Sequence, residues 1–157
     1  MTEYFKQFIG PGFTMLVPTD WYIASTPQYQ AAFVAPEAGA VKSNVVVSIN
    51  KAAEGVTIGA LSAAAKAKQS QEYPQYQVID EKDLSKEGYQ ALERRYQWFN
   101  AEHKAIILQR QIIMMVDQVV YTLTTTQKYD GQGDKETDQI FTQMLNTFRI
   151  RPEPQDQ

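Results

Sequence analysis

The chain has 157 residues, 43% of them hydrophobic and 21% charged, with a formal net charge of -3; this suits one folded core, and the acidic balance argues against a dedicated nucleic-acid surface. It has no cysteine and one histidine, His103, which excludes disulfides, thiolate nucleophiles, cysteine-ligated metals and multi-histidine metal sites. The amino terminus "MTEYFKQFIGPGF" lacks a basic flank before an apolar core, and no apolar run reaches the roughly 18–20 residues of a membrane helix, so the sequence as given reads as cytosolic, with no stable membrane insertion.

In chain order, "GFTMLVPTDW" predicts a short strand over 13–17 closed by Pro18, with Trp21 plugging one end of a sheet. "AAFVAP" predicts a second strand ended by Pro36, and the β-branched "SNVVVSIN" a third over 43–50. "TIGALSAAAKAKQSQ" predicts a helix capped by Thr57, with Ile58, Leu61 and Ala65 on its apolar side, and Pro74 stops it. Four strands follow over 77–83, 88–99, 105–115 and 119–126. "DGQGD" breaks the chain, and Asp134 caps a helix whose inward side is Ile140, Phe141, Met144, Leu145 and Phe148. Residues 151–157, "RPEPQDQ", read as a flexible tail on one domain spanning 1–150. The expected class is α+β, an antiparallel sheet of about six strands flanked by helices.

The stretch "IILQRQIIMMVDQVVYTLTTT" tells most about the faces. A two-residue turn at Asp117-Gln118 pairs Val116 with Val119, Met114 with Tyr121 and Ile112 with Leu123 on one face. The other face pairs Ile113 with Thr122, Gln111 with Thr124 and Gln109 with Thr126. In the preceding strand Leu92, Tyr96 and Trp98 are expected to join the apolar face, and Glu93, Arg95 and Gln97 the glutamines and threonines. Arg94 and Arg110 then fall on the apolar side, and each requires a carboxylate, carbonyl or aromatic neighbour.

The mixed face has two readings. In one, a helix covers part of it and water the rest. In the other it docks a partner, with Ile107, Ile113 and Met115 supplying contact area and Arg95, Gln97, Gln109, Gln111, Thr122 and Thr124 meeting polar groups.

"GFTMLVPTDW", "SNVVVSIN", "TIGALSAAAKAK", the pair "ALERRYQW" and "IILQRQIIMMVDQVVYTLTTT", and the closing "MLNTFRI" together resemble the Mog1/PsbP-like superfamily and, within it, the DcrB-like group. "YQW", "LQRQ" and "LTTT" are most similar to the Eag chaperones of that group. The resemblance implies an antiparallel sheet sandwiched by helices and a non-enzymatic task. Eag chaperones hold apolar transmembrane segments of type VI secretion effectors on a concave sheet face, as dimers. PsbP-like relatives support photosystem II, Mog1 relatives bind a small GTPase, and DcrB is an envelope lipoprotein.

Chemical candidates are few. His103 beside Glu102 reads as a solvent-facing turn residue, and no serine stands in a nucleophile elbow. Asp80, Glu81 and Asp83 lack calcium-loop spacing, while "GPG" and the Gly131/Gly133 pair lack phosphate-loop spacing. The expectation is therefore a protein-binding module of chaperone or adaptor type, with no cofactor, no metal, no catalysis, a protein client carrying apolar helices, and a possible homodimer. The alternatives are a small-molecule site lined by Tyr96, Trp98 and Tyr121, and an accessory subunit of a photosystem or envelope complex.

Overall fold

The computed structural model describes residues 4–26, 29–37, 39, 41–129 and 135–151. Among them, β1 (Phe5–Gly10), β2 (Phe13–Pro18), β3 (Tyr22–Thr26), β4 (Tyr29–Val34) and β5 (Asn44–Lys51) precede helix α1 (Ile58–Glu72). Then come β6 (Gln77–Asp83), β7 (Gln90–Asn100), β8 (Ala105–Val116), β9 (Val119–Tyr129), helix α2 (Lys135–Asn146) and β10 (Arg149–Ile150). Seven strands form one antiparallel sheet in the order β3-β4-β5-β9-β8-β7-β6, and three form a second, β1-β2-β10. The α+β class holds, with ten strands among the described residues where the sequence reading places seven along the chain and about six in the sheet. The additions are β1, β3 and β10, all at sheet margins, where alternation is weak or the strand is only two residues long.

Each expected element is present. Thr57 accepts a hydrogen bond from the Ala60 N–H and so caps α1. Proline after Tyr73 ends that helix, its missing N–H leaving no continuation. The Asp134 cap and the Gly131/Gly133 turn lie outside the described residues. Arg151, expected in the tail, donates its backbone N–H to Gly12 O and thereby extends the β10 edge.

The main core lies between the large sheet on one side and α2 with the small sheet on the other. Phe13, Met15 and Val17 of β2, Val45 and Val47 of β5, and Leu123 of β9 meet Phe141, Met144 and Phe148 there. Trp21, immediately before β3, is inside this core, edge-on to Phe141 at 6.2 Å. The α2 face follows the expected pattern in that Phe141 and Met144 are buried and Ile140 and Leu145 pack at the rim, whereas Phe148, expected on the helix, is buried two residues past its end. Helix α1 lies on the opposite side of the large sheet, where Ile58, Leu61 and Ala65 cover Leu92, Ile113 and Val120.

The β8–β9 register agrees with the sequence reading pair for pair, including Met114 with Tyr121, Ile112 with Leu123 and Gln111 with Thr124. Asp117 takes φ of 54° in the two-residue turn, the left-handed conformation such a turn demands. The β7–β8 register contradicts the expected parity. Glu93 pairs with Ile112, Arg95 with Arg110 and Gln97 with Leu108. Residues 101–104 form a four-residue loop, so an odd position on β7 always faces an even one on β8. Arg95 and Gln97 therefore share the α2 side, whereas Leu92, Tyr96 and Trp98 share the α1 side with Ile113, Gln109 and Ile107.

We expect Leu123→Ala to cost about 2–5 kcal/mol, because it opens a void between β9 and α2. Ile79→Ala, at an exposed bulge position of edge strand β6, should stay within about 0.5 kcal/mol. Urea unfolding of both variants checks the contrast.

Candidate functional site

The α1 side of the large sheet carries most of the residues singled out from sequence, and α1 divides it into a covered and an open half. On the covered half, Ile113 is 6% exposed beneath Ile58, Met115 packs beside it, and Ile107 is 2% exposed. Ile107 and Ile113 are therefore core side chains, and Met115 is half-buried at their margin. The glutamines are committed to internal ladders. Trp98 Nε1 donates to Gln109 Oε1 at 2.9 Å, and Gln109 Nε2 donates to Thr126 Oγ1 at 2.9 Å. A parallel chain runs from the Tyr76 hydroxyl to Gln69 Oε1 (2.8 Å), from Gln69 Nε2 to Gln111 Oε1 (3.1 Å) and from Gln111 Nε2 to Thr124 Oγ1 (3.4 Å). A strand flanked by helices on both sides can carry Gln109 and Gln111 because each amide finds partners on the neighbouring strands or on α1.

Aromatic rings seal the far end of the covered half. Tyr73, just past α1, stacks on Trp98 at 4.4 Å and 11°, and Tyr76 tilts over Tyr96 at 5.4 Å. Burial raises the pKa of all three tyrosines of this group, and for Tyr96 the neighbouring phenols of Tyr73 and Tyr76 add to it. Tyr96 is 1% exposed, while Tyr121 lies on the opposite side of the sheet against Phe148. The expected small-molecule cavity lined by Tyr96, Trp98 and Tyr121 therefore does not form.

Both arginines find the partners they require. Arg94, 4% exposed, donates from Nη2 to Ser62 O and Oγ at 3.0 and 2.6 Å. Its Nε lies 3.5 Å from Glu81, which also pairs with Lys66 at 2.9 Å. The register slip between Val78 and Asp80 turns Glu81 to the Arg94 side. A hydrogen bond from Lys66 is the main cause that holds the Glu81 carboxyl below its ordinary range. On the α2 side, Arg110 donates from Nε to Glu93 at 2.9 Å and from Nη1 to Thr142 at 2.8 Å. Arg95 reaches Glu93 at 3.5 Å and Asp138 at 4.0 Å. Arg95 thus belongs to a charge cluster under α2, away from the other expected contact residues.

The open half comprises β9, β5, β4 and β3. Its rungs are fixed by register: Thr126 with Asn44, Asn44 with Val34 and Val34 with Tyr22; then Thr124 with Val46, Val46 with Ala32 and Ala32 with Ala24; then Thr122 with Ser48. Tyr22 is exposed and the rest are half-buried. None of Tyr22, Ala32, Val34 and Val46 belongs to either hydrophobic core cluster. Of the residues expected to bind, Thr122 and Thr124 lie here. Val46, Val34, Ala32 and Tyr22 escaped the sequence reading, because "VVV" does not alternate and nothing local states that β5 neighbours β9.

Among the described residues no group of three His, Cys, Asp or Glu side chains is set to hold a metal ion, and no helix is long and apolar enough to cross a membrane. His103 is exposed in the β7–β8 loop.

The DcrB family profile matches residues 17–147. The chain belongs to the DcrB family. No curated protein matches it in sequence. Solved structures match this DcrB-family chain in fold. The cyanobacterial PsbP, CyanoP, of Synechocystis sp. PCC 6803 aligns with a TM-score of 0.69 at 14% identity, over 96% of this chain and 95% of its own. LpqN of Mycobacterium tuberculosis, involved in cell envelope biogenesis, gives 0.65 at 14% identity, over 96% and 91%. The Ran-binding protein Mog1p of Saccharomyces cerevisiae gives 0.64 at 9% identity, over 95% and 96%. The Mog1/PsbP-like fold read from the sequence is thus the fold of this DcrB-family protein.

Removing the Glu93 carboxylate leaves Arg110 and Arg95 without their nearest anion, so Glu93→Ala should cost about 3–5 kcal/mol. Asp138→Ala, at a 40% exposed side chain, should cost less than about 1 kcal/mol. Denaturant titration separates the two.

Proposed function

We propose that this DcrB-family chain is a non-enzymatic protein-binding module that receives an apolar helix of a protein client on the open half of its large sheet, in the manner of a chaperone or adaptor. The observation that carries the reading is the row Val34, Val46, Ala32 and Ala24, flanked by Thr122, Thr124, Thr126 and Ser48, lying outside both core clusters. Small side chains let a helix backbone approach the sheet closely, and hydroxyls meet polar groups on an otherwise apolar helix. Apolar surface of this kind on a client aggregates in water unless something covers it. Mog1p, which shares the fold, is a Ran-binding protein, so protein recognition is a task this fold performs.

The reading moves the contact surface away from Ile107, Ile113 and Met115 and keeps Thr122 and Thr124. Gln109 and Gln111 become the supports that hold Thr126 and Thr124 in place. One copy covers one side of a helix, so two copies facing each other would enclose it, and a homodimer forms part of the proposal.

The test uses a synthetic leucine- and alanine-rich helical peptide that aggregates alone. The wild-type protein should hold it in solution at stoichiometric ratio. Val46→Asp should weaken the complex at least about tenfold, since a carboxylate then faces apolar surface, and Lys82→Asp on edge strand β6 should leave it intact. A folded Val46→Asp protein that binds the peptide as the wild type does would refute the placement.

A further inference from the structure

The α2 side holds a feature that the proposed client surface does not use. A half-enclosed cavity of about 690 Å³ lies between the β6–β7 connection, the sheet floor and the end of α2 with β10. This volume falls within the range of about 300–1,000 Å³ usual for small-molecule sites. Ile112 and Met114 supply apolar floor, Leu145, Phe148 and Ile150 one wall, and Tyr89 with Leu84 the other.

The charges decide what would enter. Glu93 is 3% exposed and already paired with Arg110, so that corner of the floor is internally balanced. Asp83 is engaged too: its carboxylate accepts from the Ser85 N–H at 2.9 Å, and the Ser85 side chain, with that N–H second, lowers its pKa. Lys86 and Arg149 also line the cavity, and among the described residues neither forms an ion pair. Arg149 is held in place by donating from Nη1 to the carbonyls of Asn146 and Phe148 at 2.9 and 2.8 Å. An apolar trough with two unpaired cations in its lining favours a ligand with an apolar body and an anionic head.

We infer that the cavity between the β6–β7 connection and the α2–β10 corner binds an amphiphilic carboxylate, with its hydrocarbon against Ile112, Met114 and Leu145 and its carboxylate against Lys86 and Arg149. The site lies on the opposite side of the sheet from the client face, so the two occupants do not compete for the same surface.

The probe is dodecanoate below its micellar range, titrated calorimetrically into the full chain, with dodecanol as the neutral counterpart. Saturable one-to-one binding of dodecanoate is expected, with dodecanol weaker by about tenfold or more, the size of one lost charge-assisted contact. Met114→Trp and Leu145→Trp each fill the trough and should abolish binding. Two variants are used so that one that fails to fold leaves the other. The surface pair K86E/R149E should fold, as judged by circular dichroism, and bind dodecanoate at least about tenfold more weakly while dodecanol is unaffected. Absence of saturable binding, equal affinity for alcohol and acid, or full affinity in a folded trough-filling variant would each overturn the proposal. Loss of peptide binding by Val46→Asp has no bearing on it.

Discussion

Everything in this molecule rests on the register of the β8–β9 hairpin. Asp117 accepts a left-handed backbone, a two-residue turn closes, and eleven consecutive residue pairs are then set from Val116 opposite Val119 to Ile106 opposite Tyr129. A slip of one residue would turn Leu123 and Tyr121 to the helix α1 side and present threonines to Phe141 and Met144. The hydrophobic core makes such a slip prohibitive: Leu123 is 2% exposed and Tyr121 7%, both within the main cluster.

From that register the rest of the layering follows. Because β8 lies between β7 and β9, its odd residues face α1 and its even residues face α2. Gln109 then lies between Trp98 and Thr126 and closes a hydrogen-bonded rung across β7, β8 and β9, while Gln111 links Gln69 of α1 to Thr124 of β9. Arg110, one residue between them, points to the other layer, where Glu93 and Thr142 receive it. Polar side chains in the most apolar stretch of the chain are thereby satisfied on both faces, at no cost of unpaired amides or guanidinium. Since α1 spans β7 and β8 more than β5 and β4, the ladders end at the threonines of β9, and there the open half begins.

Much of this was legible in the sequence, for physical reasons that also explain the failures. The β8–β9 pairing could be read because one short turn connects two strongly alternating segments. The α2 face could be read because Ile140, Phe141, Met144 and Leu145 recur at helical spacing. The parity of β7 could not, since it depends on whether the loop "AEHK" contributes an even or odd number of unpaired residues, and Asn100 and Ala105 look equally ready to start it. Arg95 and Gln97 were assigned to the wrong layer for that reason. Ile107, Ile113 and Met115 were recognised as apolar members of a polar face, but the helix that packs against Ile113 and Met115 is set far away in sequence. Val46 is indistinguishable from Val45 and Val47 until β4 and β9 are known to flank β5.

The triplet Val45, Val46 and Val47 offers the most direct check of the central claim. Its outer members are fully buried under the α2 layer, and its middle member lies on the open half opposite Ala32 and Thr124. Methyl resonances of the three valines, followed by nuclear magnetic resonance as the apolar helical peptide is added, report both parity and occupancy. The account predicts that Val46 and Val34 methyls shift progressively while those of Val45 and Val47 stay in place. Movement of Val45 and Val47 with Val46 unmoved would contradict it.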